Sequence, residues 1–437
     1  MQPGENIDLD VSDVAHGGVF VGRHDGRVVF VPDALPDERV RVRLTDTRKA
    51  SFWRGEVLDV LDASPHRRPH VWRQADVDTA PEQRPGGADF GHIELAHQRT
   101  LKAQILRDAL ARIGGLDVPV TMEAAMPARS ADGEVVADES ADGTGWRTRV
   151  SLHVDDEGRI GPYAARSHRV IEVADLPLAT PAIGRAALGD RQARAGRLDF
   201  VQPADGRVRV LARAEASGPR RGGRTRSAPA DPAARETVIE TVDGRSFRVD
   251  AGGFWQVHRL AAASLSRAVA EGLEEAAAHP VDPDAHHLDL YGGVGLLAAT
   301  VAGLGGPATR ITSVESDPRA TEHAGANLAE WLGARAETGR VDRWLAGLGA
   351  TASAEARARL ARGVVVLDPP RAGAGREVVE RIAQLHPAHV VYVACDPVAL
   401  ARDLATFRDR GYAARSVRGI DLFPHSHHVE AVAVLSR

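Results

Sequence analysis

The 437-residue chain contains a single cysteine, Cys395, within the segment HVVYVACDPVALARDL. The apolar run Val390 to Val393 predicts a buried strand. Asp396-Pro397 is a helix-start signal, an N-cap acid followed by proline at the first helical position. Cys395 is therefore expected at the C-terminal end of a strand, beside a helix N-terminus. The helix dipole there favours a thiolate, the form in which cysteine attacks. A small hydrophobe packed at the top of a strand has the same local sequence. The other polar residues of the chain have to decide between the two.

Three further segments carry such residues. In LDLYGGVGLL, Gly292, Gly293 and Gly295 make a glycine-rich turn that lets the backbone approach a ligand. The dinucleotide pattern GxGxxG is not met, since position 298 is Ala, and no Gly-Lys-Ser/Thr follows to make a phosphate loop. In SVESD, Glu315 is expected at the end of the next strand, where a carboxylate can accept both ribose hydroxyls of a nucleoside. Turn and acid together suit S-adenosylmethionine better than NAD. In VVVLDPPRAG, Asp368 ends another strand, at the crevice where open α/β sheets bind ligands, with Pro369-Pro370 stiffening the turn and Arg371 beside it. Finally, DLFPHSHHVEAVAVL brings His425, His427, His428 and Glu430 around one turn. A histidine cluster is compatible with zinc, but an obvious fourth ligand is missing and no metal is assigned. Glu430 opens an apolar strand, where burial would raise its pKa and suit it as a general base.

These residues need a frame that gathers them. From about residue 241, strands alternate with helices, and the chain ends in two β segments with no helix between them. That pattern predicts a doubly wound α/β sheet with one antiparallel strand over 241–437. Residues 1–62 read as short alternating strands of a small OB-type β-barrel, with a hairpin turn at His24-Asp25-Gly26. Arg39, Arg41, Arg43, Arg48, Lys49 and Arg54 cluster there with Phe52 and Trp53. Such a set serves single-stranded RNA by stacking and phosphate contact, or is a solvated face over core aromatics. Residues 63–240 form a central α+β domain. Its helix places Leu101, Ile105, Leu106 and Leu110 on one face and ends at Gly114-Gly115. Stretches near 124–145 and 213–236 read as mobile loops. The second is rich in Arg, Gly and Pro, a solvated insertion or an electrostatic RNA contact.

Composition bounds the rest. A formal charge of −5 gives no global sign of nucleic-acid binding, so any such surface must be local. One cysteine excludes an intramolecular disulfide and an all-cysteine zinc or iron–sulfur site. No apolar run is long enough to span a membrane, MQPGENIDLD lacks the apolar core of a signal peptide, and the cytoplasm is the expected compartment. No obligate protein partner is indicated.

The series FWQVH, DLYGGVG, SVESD, LDPPRAG, YVACDP and LFPHSHHVE resembles the RNA 5-methyluridine (uracil-C5) methyltransferase family over nearly the whole chain. The N-terminal barrel resembles the TRAM domain that often precedes its catalytic domain. The resemblance implies a Rossmann-like class I fold and methylation of uridine C5 in ribosomal or transfer RNA. It implies Cys395 as nucleophile and Glu430 as base, with Gln256, Tyr291, Glu315, Asp342 and Asp368 contacting S-adenosylmethionine. The substrate would be a structured RNA with an unstacked uridine. Three departures stand out. Pro85-Gly86-Gly87-Ala88 and Leu176 occupy positions where many ribosomal-RNA members have iron–sulfur cysteines. Leu296 follows the glycine turn where a polar residue is common, and Asp396 replaces the usual Asn after the cysteine. Two other readings use the same residues: a purine N-methyltransferase working through the Asp-Pro-Pro-Arg turn, or a non-catalytic RNA-binding factor on a methyltransferase fold.

Overall fold

The computed structural model describes residues 1–189, 193–214, 231–277 and 281–437. Most of the Arg/Gly/Pro-rich stretch near 213–236 lies outside the described residues.

Strands Asn6–Ala15, Val19–His24, Arg27–Val31, Arg39–Asp46 and Phe52–Asp62 close into a barrel. Its interior follows from strict alternation: Ile7, Leu9 and Val11 point inward from the first strand, Val40, Val42 and Leu44 from the fourth. Asp25 and Gly26 both take positive φ in the predicted hairpin turn. The barrel core continues outward through Phe90 and Ile93 to Leu101 and Ile105 of the helix Leu95–Arg112, so the barrel is seated on that helix.

The C-terminal sheet has eight strands, in the order Gly333–Thr338, Arg310–Glu315, His287–Leu290, Val364–Leu367, His389–Ala394, Glu430–Ser436, Ala413–Asp421 and Val120–Ala124. Only Glu430–Ser436 runs against its neighbours. The strands are apolar on both sides because helices cover both faces. Val364 and Val366 join the core under helices Ala261–Ala276 and Leu296–Gly305. Val365 and Leu367 join the opposite core, under Val341–Thr351, Arg376–Gln384 and Pro397–Asp409.

The boundary between the central and C-terminal regions is less sharp than the sequence pattern implies. Val120–Ala124 is the edge strand of the C-terminal sheet, paired in parallel with Ala413–Asp421, and Leu106 and Leu110 of the preceding helix enter the core beneath that sheet. The four-stranded sheet of Ile160–Gly161, Arg149–Val154, Gly196–Val201 and Arg209–Ala214 is the separate part of the central region. Within 124–145, Ala128–Arg129 and Val135–Ala137 pair as a short hairpin, and Glu139 is tied to Arg99 at 2.6 Å.

Candidate active site

Parallel strands present their C-terminal ends at one edge of the sheet, and there the turns after His287–Leu290, Arg310–Glu315, Val364–Leu367 and His389–Ala394 converge. They line a cavity of ≈ 1460 Å³. All seven residues expected at the site, Gln256, Tyr291, Glu315, Asp342, Asp368, Cys395 and Glu430, line it.

The antiparallel strand explains how Glu430 reaches the same edge. Ala394 pairs with Ala431, so the next position outward sets Cys395 against Glu430. One residue ends its strand and the other begins its own, and directly opposed side chains share a face. Cys395 is half-buried, and Glu430 is 4% exposed. Burial, with Asp368 nearby, pushes the Glu430 carboxyl well up, partly offset by Arg371. The same surroundings act on the thiol. Burial first, then Glu430 and Asp368, push Cys395 up to about 12. This corrects the expectation of a dipole-favoured thiolate: desolvation and two acids outweigh the helix N-terminus. Asp396 does not compete for the sulfur. It caps the helix by accepting from the Ala399 N–H at 2.8 Å, and His16 of the barrel lies 3.4 Å from its other oxygen.

The glycine turn is built around Asp289, which the sequence pattern did not single out. Its Oδ2 accepts from Ser313 Oγ at 2.9 Å, and a Cβ on Gly292 would stand 2.0 Å from that hydroxyl and 2.4 Å from the carboxylate. Tyr291 beside it takes the left-handed φ of 63°. Asp289 Oδ1 is buried without a hydrogen-bond partner among the described residues. Burial, opposed by the Ser313 hydroxyl, pushes this carboxyl up to about 7. Asp368 is pushed up likewise, by burial and then by Asp289. Glu315 is held by the N–H groups of Ser316, Asp317 and Gly293, at 2.5, 2.9 and 3.2 Å. Asp342, in the first turn of its helix, is held by Arg340 at 2.9 Å. On the opposite wall, Arg149 donates to the Gly253 carbonyl at 2.7 Å and Thr148 N–H to that of Val257, fixing the segment that carries Gln256. Four carboxylates around one cleft, one with an open buried oxygen, fit a cationic ligand. A nucleoside bearing a sulfonium and an ammonium group has that charge.

The three histidines are spoken for by the protein. His425 accepts from the Gln98 side-chain amide at 3.0 Å and donates to the Asp142 carbonyl at 2.7 Å. His427 pairs with Asp89 at 2.7 Å. His428, pushed down to about 3 by burial and then by His427 and Arg371, is a neutral acceptor 3.5 Å from the Arg371 guanidinium. Farther back, Lys102, fully buried, donates to Asp421 at 2.6 Å and to the Phe423 carbonyl at 2.9 Å. Arg99 reaches the second oxygen of Asp421 at 3.3 Å. Helix Leu95–Arg112 thus pins the segment that leads into Glu430. Lys102 and Gln98, polar residues four apart on the buried face of this helix, were the sequence sign of this.

On the barrel, half of the predicted basic cluster is neutralised by ion pairs. Arg41 pairs with Asp8, Arg43 with Glu56 and Arg48 with Asp46, at 3.0, 2.6 and 2.7 Å. Trp53 is a core residue, while Phe52 is half-buried with Lys49 stacked over its ring at 4.7 Å.

The strand order and the acid-lined cleft at the strand ends define a Rossmann-like class I methyltransferase fold joined to a small β-barrel. Comparison with known proteins places it more closely. A TRAM domain model matches residues 1–58, and a tRNA (uracil-5-)-methyltransferase model matches residues 358–437. A Streptomyces avermitilis protein described as an uncharacterized RNA methyltransferase is 37% identical, over 99% of this chain and 98% of its own. One from Bifidobacterium longum, described in the same words, is 36% identical over 97% and 95%. Among solved structures, the Pyrococcus abyssi tRNA (uracil-54, C5)-methyltransferase in complex with S-adenosyl-L-homocysteine aligns with a TM-score of 0.66. It covers 98% of this chain and 100% of that one at 19% identity. The chain belongs to the RNA (uracil-5-)-methyltransferase family and carries an N-terminal TRAM domain. No described helix is long and apolar enough to cross a membrane.

Proposed function

We propose that this enzyme methylates C5 of a uridine in ribosomal or transfer RNA through a covalent Cys395–C6 adduct. The observation that carries the reading is the juxtaposition of Cys395 and Glu430 where His389–Ala394 meets the reversed strand Glu430–Ser436. S-adenosylmethionine, when bound, supplies an electrophilic methyl group. Gln256, Tyr291, Glu315, Asp342 and Asp368 would hold it, and Asp289 lines the same cleft.

Uracil C5 is a weak nucleophile. Addition of the Cys395 sulfur to C6 turns C5 into an enolate carbon that can take a methyl group. After transfer, the Glu430 carboxylate removes the proton from C5, and the electrons left behind expel the cysteine from C6. The thiol must first lose its own proton. Glu430, opposite it and ionised once a cation neutralises the cleft, can accept that proton and must release it to solvent before it acts on C5. The uridine has to leave its stack to reach this edge of the sheet.

The test is nucleoside analysis by mass spectrometry of ribosomal and transfer RNA incubated with the enzyme and labelled S-adenosylmethionine. Label in 5-methyluridine is the expected result. Label in a methylated purine would replace this reading by N-methylation. No transfer and no cofactor binding in calorimetry would leave a non-catalytic RNA-binding factor.

A further inference from the structure

The cations that the sequence offered as an RNA surface or a solvated face sit on the barrel, and three of the six, Arg41, Arg43 and Arg48, are held in ion pairs there. A second set lies at the other side of the catalytic domain. A groove of ≈ 680 Å³ opens between the edge strand Gly333–Thr338 and helix Val341–Thr351. Arg310, Arg335, Arg343 and Arg359 line it. Arg359 pairs with Glu355 at 2.7 Å. The other three make no salt bridge or side-chain hydrogen bond with the described residues. The only acid lining the groove, Glu337, is engaged by the indole N–H of Trp344 at 2.6 Å. His286, at the floor, accepts from or donates to Thr312 at 2.9 Å, and its proton affinity is lowered by burial and then by Arg335.

Three guanidinium groups around one groove, unpaired among the described residues, concentrate a positive potential that a polyanion would neutralise. In a chain of net charge −5, the concentration is local. Arginine forks match phosphate oxygens in pairs, which a diffuse basic surface does not. The groove is also aligned with the active-site cleft. The strand that walls it runs from Gly333 to Thr338, and the next residues, Gly339 to Asp342, already line the cleft. Six residues of strand span roughly 17–20 Å, so one structured RNA can occupy both.

We propose that this groove is a phosphate-backbone site for the RNA substrate, engaging Arg310, Arg335 and Arg343 at a distance from the target base. The proposal rests on the RNA-methylating reading for the identity of the polyanion. It concerns a surface with no part in the chemistry.

The test compares the full chain with R310Q/R335Q/R343Q and with the single variant R335Q, which changes one exposed side chain. Binding of bulk transfer RNA and ribosomal RNA is measured against salt concentration, with S-adenosylmethionine binding by calorimetry as the control. The triple variant should lose at least about tenfold in RNA affinity, and the slope of log affinity against log salt should become shallower by about 2. R335Q should lose a smaller share in the same direction. Cofactor binding should be unchanged in both. RNA affinity and salt slope equal to wild type in the triple variant would overturn the proposal. Loss of cofactor binding together with RNA binding would also overturn it, by showing a general effect on the domain. The readout is binding, so it holds whichever nucleoside the enzyme methylates. If nucleoside analysis fails while the salt slope changes, the groove stands and the reaction does not.

Discussion

Cys395 and Glu430 face each other one step beyond the Ala394–Ala431 pair, where the sheet meets its one reversed strand. In an all-parallel sheet, an acid at the beginning of a strand would lie at the far edge, a strand length from the cysteine. The reversal of Glu430–Ser436 is what brings the proposed nucleophile and the proposed base, 35 residues apart in sequence, to one rim.

Removal of each partner should stop the reaction at a different point. Cys395→Ala should abolish methyl transfer while leaving S-adenosylmethionine binding intact. Glu430→Gln keeps the shape of the side chain and removes the base. It should slow turnover by at least about a hundredfold and accumulate a protein–RNA adduct that survives denaturing gel electrophoresis. Full activity in Cys395→Ala would end the covalent mechanism.

Cofactor affinity should depend on pH with a definite sign. Asp289 is pushed up to about 7, and Asp368 rises with it. Their charged forms attract a cationic ligand, and acid removes that charge. Affinity for S-adenosylmethionine should therefore be highest above pH 7 and weaken as pH falls through 7 towards 5, by up to about tenfold per unit below the midpoint. Asp289→Asn should bind more weakly at pH 8 and show a flatter profile. A pH-independent affinity in the wild type would contradict this account of the cleft.

The buried ion network behind Glu430 should matter for stability. Lys102→Met leaves Asp421 fully buried with only the longer contact to Arg99. Breaking one side of such a pair costs about 3 kcal/mol, and Lys102→Met with Asp421→Asn should recover part of it. Urea unfolding checks both. A Lys102→Met variant as stable as wild type would show that Arg99 suffices.

The barrel is fitted closely to the active-site loop at Gly18. Its φ is +71°, and an added Cβ would stand 2.8 Å from that of His427. Gly18→Ala should lose about 1–2 kcal/mol from the left-handed backbone alone and further stability and activity from displacement of His427. Gly18→Ala with His427→Ala should restore stability beyond the single variant. Equal losses in the two variants would place the whole cost in the backbone.

Local pattern carried much of this protein. Alternation with a period of two specified the barrel, and strand–helix alternation specified the catalytic sheet, because each element has to bury one face or two. The residue types at the strand ends, Glu315, Asp368 and Cys395, marked the rim for the same reason. Each stands where an apolar run stops. Pairing between distant segments was not legible. Nothing local told that Val120–Ala124 would add an edge strand to a sheet whose next strand in sequence begins only at His287, since an edge strand has no pattern of its own.

The electrostatics of the site were likewise a matter of tertiary structure. The sequence by itself determined that Cys395 would end a strand beside a helix N-terminus, with Asp396 as its cap. Which charges would surround the sulfur depended on register and strand direction, and these set Glu430 and Asp368 beside it and raised the thiol instead of lowering it. The basic residues followed the same rule. Their number is visible in the chain. Whether an arginine is neutralised, as Arg41 is by Asp8, or left unpaired, as Arg335 is, depends on the strand that folding lays next to it. Charge acts through space, and the distances that weight it exist only in the folded molecule.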